Sequence, residues 1–352
     1  MTGRVNELDF LRVAAIGAVL FYHYTFRGYA GDNMSVVPFP ELVPVTKYGY
    51  LGVHLFFMIS GFVILMTASS GDLRKFIASR CARLYPAMWA CCTMTYVAVA
   101  TIGGGHFIAT FQQYLVNLTL MNAFFGVAPI DGAYWSLIPE IEFYGAVATI
   151  VTAGQIARME AVLLAAVFGL GLVIATSVPT TNIAYLIDDL PYFAAGAFYY
   201  LIWAKGHSAA RWLGVAASWV LAGRECMSFL PLVSAYYRIH MSAAVVATIV
   251  TSYFVVFAAI ATRSTGRFGA IRWVSAGAIT YPLYLVHQNL GFMLFNALYP
   301  AADRFVLLAG ITAAMVALAW VIHETVERPL GPLLRRTVER MLALGRPSPI
   351  GF

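Results

Sequence analysis

Apolar runs about 20 residues long recur through the whole chain, and each is of the length a helix needs to cross a hydrocarbon core about 30 Å thick. They fall near residues 8–27, 50–68, 84–102, 134–154, 160–178, 183–203, 209–234, 241–262, 274–298 and 304–322. Of the 352 residues 61% are hydrophobic and only 11% charged, against about 25% charged in a soluble domain. The expected fold is therefore all-α: a polytopic transmembrane helix bundle of about ten spans. Residues 1–325 form the transmembrane domain and 326–352 a basic C-terminal tail. The first run follows Glu7 and Asp9 and lacks a small-residue cleavage site, so it is expected to remain as the first span.

Two stretches are ambiguous. Arg224, Glu225 and Pro231 interrupt the seventh run, which reads as a full span or as a shorter span with an interfacial turn. Residues 107–125 (FIATFQQYLVNLTLMNAFF) are apolar but rich in amides, and read as re-entrant, interfacial or an extra span. The basic residues decide against the extra span. With ten spans and the N-terminus inside, only Arg27, Lys47, Arg224, Arg238 and Arg304 of the 22 basic residues fall outside. That asymmetry is the positive-inside pattern, and it places both termini in the cytoplasm. The four cysteines (Cys81, Cys91, Cys92 and Cys226) lack metal-ligand spacing, so no metal site is expected. No nucleic-acid module is present.

Ionisable residues inside spans are expensive in lipid and mark function by default. Arg12 and His23 lie eleven residues apart in the first run, about 1,100° of helix, so they share a face roughly 16 Å apart along the axis. The topology puts His23, His54, Glu140 and His287 in the outer half of four different spans. A carboxylate supporting a histidine makes a general base, which points to His23 with Glu140. Taken singly, His54 or His287 reads more plainly as a satisfied core histidine. Arg74, Lys75, Arg80 and Arg83 precede the third span, with Arg80 and Arg83 on one helix face. Arginine forks suit phosphate, and juxtamembrane basic residues equally set topology and hold anionic lipid. The segment HETVERPLGPLLRRTVER reads as an interfacial basic helix whose Glu324, Glu327 and Arg328 make helix-end contacts.

The chain resembles the integral-membrane acyltransferase family 3, bacterial O-acyltransferases of exopolysaccharides, O-antigens, Nod factors and some antibiotics. The resemblance rests on NELDFLRVAAIGAVLFYH with its arginine-ten-histidine spacing, LFFMISGFVI, RCARLYPAMW, WSLIPEIEFY and YPLYLVHQ, in family order from residue 7 to about 290. His54 stands where many relatives carry aspartate, and Pro139 precedes Glu140 directly, where it would be placed to kink the helix.

The resemblance implies transfer of an acyl group, usually acetyl, to a hydroxyl of a carbohydrate or glycolipid acceptor. Acetyl-CoA or another acyl-CoA is then a cytoplasmic donor substrate, with no permanently bound cofactor. Arg12, Arg80 and Arg83 are expected at the donor phosphates, His23 as general base supported by Glu140, and a covalent acyl-histidine relay stays open. Ser136, Tyr281, Tyr284, His287 and His54 are candidate oxyanion or acceptor contacts. The implied setting is the bacterial inner membrane, with the lipid bilayer and polysaccharide-assembly proteins as partners. A transporter or flippase of a polysaccharide or lipid precursor is the rival reading, and a non-catalytic scaffold a second.

Overall fold

A computed structural model describes residues 5–31, 33–176 and 186–344. Arg4 and Arg346, the parts of the runs at 160–178 and 183–203 within 177–185, and tail residues 345–352 lie outside the described residues. No strand occurs among the described residues, and each of the ten apolar runs carries a helix. The first helix, α1 (Asn6–Tyr22), continues through a π turn (His23–Arg27). Then come α2 (Gly52–Ala68), α3 (Leu73–Ile102) and the short α4 (Phe111–Asn117). Next are α5 (Leu137–Thr152), α6 (Met159–Ala175), α7 (Leu186–Lys205), α8 (Ala209–Tyr237) and α9 (Ala243–Ala261). The chain closes with α10 (Thr280–Leu298), α11 (Arg304–Ile322) and, after a second π turn (His323–Glu327), α12 (Arg328–Leu344).

Five helical stretches among the described residues are long and apolar enough to cross a membrane: Val43–Ala68, Leu73–Ile102, Ile156–Ala175, Ala243–Ala261 and Arg304–Leu344. The other runs are also helical but shorter or more polar. Glu7, Asp9 and Arg12 interrupt α1, and Asp188, Asp189 and Lys205 interrupt α7. The seventh run is one continuous helix of 29 residues despite Pro231, rather than a span plus a turn. Its Glu225 accepts a hydrogen bond from the Tyr192 hydroxyl at 3.0 Å, which answers the carboxylate within the bundle.

The helices alternate in direction, as cross-links at their ends demonstrate. At one end Asn6 bonds to the Gly269 carbonyl, Arg211 pairs with Glu160, and the Arg263 guanidinium donates to the Trp203 carbonyl. At the other, Lys47 donates to the His240 carbonyl and Arg304 pairs with Glu41. The α2–α7 crossing is very close. A Cβ at Gly61 would overlap the Phe193 carbonyl, and one at Gly196 the Met58 carbonyl. Small residues facing each other let two backbones meet where apolar area gives helices in lipid no reason to associate.

Residues 107–125 form no span. The short α4 and a turn at Asn122–Phe125 run back along α3. Tyr114 bonds to Thr93 at 2.9 Å, Trp89 donates to the Leu118 carbonyl at 3.2 Å, and Tyr85 to that of Thr119 at 3.0 Å. The segment thus lies along the outer surface of α3, and the chain turns into the bundle only at buried Ile130 and Asp131, before α5 begins. Buried Asp131 ties it to α10, accepting from the Ala133 and Asn289 backbone N–H groups at 2.9 and 3.0 Å.

Candidate functional site

The loop before α5 decides where that helix starts, and therefore where Glu140 lies. Because the turn Gly132–Ser136 is docked on the middle of α10, α5 begins deep in the bundle. Glu140 then meets Ser60, halfway along α2, at 3.0 Å and Tyr144 at 2.5 Å. Pro139 falls in the first turn of α5, where its missing N–H would have had no helical partner, so the helix is not kinked there.

A cavity of about 370 Å³ opens beside these residues. Asp9 and Arg12 of α1 and Arg80 and Arg83 of α3 line it at the end where α3 starts. Ser60, Glu140 and Tyr144 form its middle, and Val53, Phe56, Phe57, Ser136 and Tyr284 close it farther in. Arg12 is paired with Asp9 at 2.7 Å. Arg80 donates from one terminal nitrogen to Thr67 and Ser79 and lies 5.6 Å from the centre of the Tyr144 ring, while its buried Nε–H has no hydrogen-bond partner among the described residues. The Arg83 guanidinium lies 5.0 Å over the Tyr281 ring. Three guanidiniums around one opening, one with an orphaned donor, match a ligand carrying several phosphate oxygens.

His23 and His287 are not part of that lining. They form a pair of their own, with His287 Nε2 3.2 Å from His23 Nδ1 and the ring centres 4.9 Å apart. Carbonyl oxygens fix the protons. His287 Nδ1 is 2.7 Å from the Tyr284 carbonyl and His23 Nδ1 is 2.8 Å from the Val19 carbonyl, so both Nδ1 atoms carry hydrogen. His287 Nε2 then accepts from His23 Nδ1–H, and His23 Nε2 is left with its lone pair. No hydrogen bond among the described residues engages that atom. The π turn that starts at His23 is the kind of single-turn irregularity often found at functional sites. Tyr284 connects pair and cavity: its carbonyl binds His287, while its side chain lines the cavity and its hydroxyl lies 2.7 Å from that of Ser136 and 3.0 Å from the Ala133 carbonyl, to which it donates.

The expected contact between Glu140 and His23 is not made. Glu140 is held by Ser60 and Tyr144, His23 by Val19 and His287. The four residues expected at one depth thus divide among three places. His54 is the third: its ring stacks on Tyr192 at 4.4 Å and its Nε2 lies 4.0 Å from Asp189 of α7. The cavity does gather Arg12, Arg80, Arg83, Glu140, Ser136, Tyr281 and Tyr284. Sequence reasoning missed Asp9, Ser60, Tyr144 and Asp131. Of these, Tyr144 had a usable signal, standing four residues after Glu140 on the same helix face.

A family model described as "Acyltransferase domain" matches residues 5–324. The chain is 26% identical over 163 residues to Nodulation protein 10 of Rhizobium leguminosarum bv. viciae, covering 41% of this chain and 43% of that protein. It is 27% identical over 161 residues to an O-acetyl transferase of Shigella phage Sf6, covering 42% and 44%. The match thus spans less than half the length of each relative. No solved structure matches the chain.

Proposed function

The chain belongs to the acyltransferase family 3, and from that membership we propose that it moves an acyl group, acetyl in the usual case, from a cytoplasmic acyl-CoA to a hydroxyl of a carbohydrate or glycolipid acceptor. The proposed setting is a bacterial inner membrane, with about ten spans, both termini in the cytoplasm, and polysaccharide-assembly proteins as neighbours. The observation that carries the reading is the cavity: three arginines at its mouth and, at its inner limit, a tyrosine bonded to a histidine pair. An orphaned buried Nε–H on Arg80 and a guanidinium of Arg83 without hydrogen bonds among the described residues fit donor phosphates.

In this reading Arg12, Arg80 and Arg83 hold the phosphates, and the pantetheine arm runs up the cavity. Glu140, placed by Ser60 and Tyr144, accepts from the arm's amide N–H groups. The acceptor hydroxyl gives its proton to His23 Nε2 as its oxygen attacks the thioester carbon. The charge on the resulting oxyanion is met by hydroxyl donors, Ser136 and Tyr284 or else Tyr281. The C–S bond then breaks, and the CoA thiolate takes the proton from His23. A relay through acyl-His23 would use the same nitrogen. His54 is assigned to holding α2 against α7 instead of to the acceptor.

The test is release of free CoA thiol by purified protein in nanodiscs given acetyl-CoA and glycan acceptors. It is paired with O-acetyl content of surface glycans in cells with and without the protein. His23→Ala should abolish turnover and keep acetyl-CoA binding; Arg80→Ala should chiefly weaken that binding. Full activity in His23→Ala would refute the base assignment, and transport without thiol release would favour the rival class.

A further inference from the structure

The second π turn carries two side chains that the reaction scheme leaves unused. Glu327 is nearly buried, at 9% side-chain exposure, although it sits where the last apolar helix meets the basic amphipathic α12. Its Oε2 accepts from His323 Nδ1 at 2.7 Å. Its Oε1 reaches across to α3 and lies 3.7 Å from Arg83 Nη1. The neighbouring acid, Glu324, points elsewhere and pairs with Arg328 at 2.6 Å on the exposed side.

The geometry of Arg83 is informative. The Tyr281 ring lies under its guanidinium at 5.0 Å and Glu327 flanks it. Yet no hydrogen bond uses its N–H groups among the described residues, since 3.7 Å is an ion-pair contact beyond hydrogen-bond reach. Of the cavity's other arginines, Arg12 spends donors on Asp9, and Arg80 on Thr67 and Ser79. Arg83 is therefore the guanidinium held in direction while its donor fork stays open. A carboxylate at this distance restrains a long, flexible side chain by charge without occupying the sites a phosphate needs.

We propose that Glu327 is a positioning residue for the donor: with His323 fixing it from behind, it aims Arg83 across Tyr281 at the phosphates of the acyl-CoA. The proposal rests on the acyl-CoA reading of the cavity. It makes α12 part of the donor site, because that helix and its π turn carry the residue that sets Arg83.

Direct binding of acetyl-CoA to the detergent-purified full chain, by calorimetry, tests it without need of an acceptor. Glu327→Gln should weaken binding about fivefold, the scale of losing one partly exposed charge partner. Glu327→Asp, which keeps the charge, should recover most of that loss. In an Arg83→Ala background Glu327→Gln should have no further effect, a coupling that general damage to the fold would not produce. Simple electrostatics predicts the reverse, since removing an anion beside a polyanion site should tighten binding. Unchanged or tighter binding in Glu327→Gln, equal losses in Gln and Asp, or additive losses with Arg83→Ala would each overturn the proposal. Absence of acetyl-CoA binding by the unaltered protein would instead refute the donor reading beneath it.

Discussion

Replacing His287 tests the chemistry of the histidine pair most sharply. In the proposed reaction His23 Nε2 takes a proton, the ring becomes a cation, and the Nδ1–H bonds to Val19 and His287 become charge-assisted. A hydrogen bond to a charged group contributes about 1.5–3 kcal/mol. The His287 contact is long, at 3.2 Å, and shares its donor with the Val19 carbonyl at 2.8 Å, so the lower end applies. About 1.5 kcal/mol corresponds to roughly tenfold in rate. His287→Leu should therefore lower kcat about tenfold, far less than His23→Ala, because Val19 alone still holds the ring and its tautomer. KM for acetyl-CoA should stay near that of the unaltered protein, since His287 does not line the cavity. His287→Gln can place an amide oxygen near the position of Nε2 and should recover most of the rate. The assay is CoA thiol release under saturating donor. An unchanged kcat in His287→Leu, or a loss as complete as that of His23→Ala, would refute the reasoning, as would a Gln variant no better than Leu.

Two further expectations concern the frame of the site. His54→Asp would set a second carboxylate near Asp189, which now lies 4.0 Å from the imidazole. An aspartate is shorter than histidine, so its carboxylate would lie roughly 6 Å from that of Asp189, where two like charges repel by up to about 3 kcal/mol at an effective dielectric of ~20, a ceiling because one would take up a proton. The apparent unfolding temperature in detergent should fall by several degrees and recover in His54→Asp with Asp189→Asn; no fall would show the contact to be immaterial. Gly196→Ala forces a Cβ into the Met58 carbonyl and should cost about 1–3 kcal/mol. Gly310→Ala, where nothing lies within 4 Å, should be neutral or stabilising in the same thermal assay.

The helices were legible because a run of 20 apolar residues has few alternatives, and a helix does occupy each of the ten runs among the described residues. The arginine mouth was legible too, since Arg80 and Arg83 share a face and Arg12 starts the first span. The neighbours of Glu140 were not legible: it meets Ser60 and Tyr144 instead of His23. Counting residues inward from an outer loop assumes that the helix begins at the membrane surface, whereas the segment before α5 folds inward and is tethered to α10 by Asp131. The partner of His23 was equally out of reach, lying 264 residues away, a separation that neither periodicity nor spacing encodes. Glu327 looked like a local helix-end charge for the same reason. Its contact with Arg83 exists only once the last π turn has laid α12 along α3.

The glycine crossing of α2 and α7 has a consequence for how the protein works. One side of α2 is locked backbone to backbone through Gly61 and Gly196, while the adjoining flank, about a quarter turn round the helix, presents Val53, Phe56 and Ser60 to the cavity. That wall has no slack to yield. In the proposed reaction, any widening that lets a thioester approach His23 falls to the facing wall, where a Tyr284–Ser136 hydroxyl contact of 2.7 Å can be exchanged for bonds to an entering substrate.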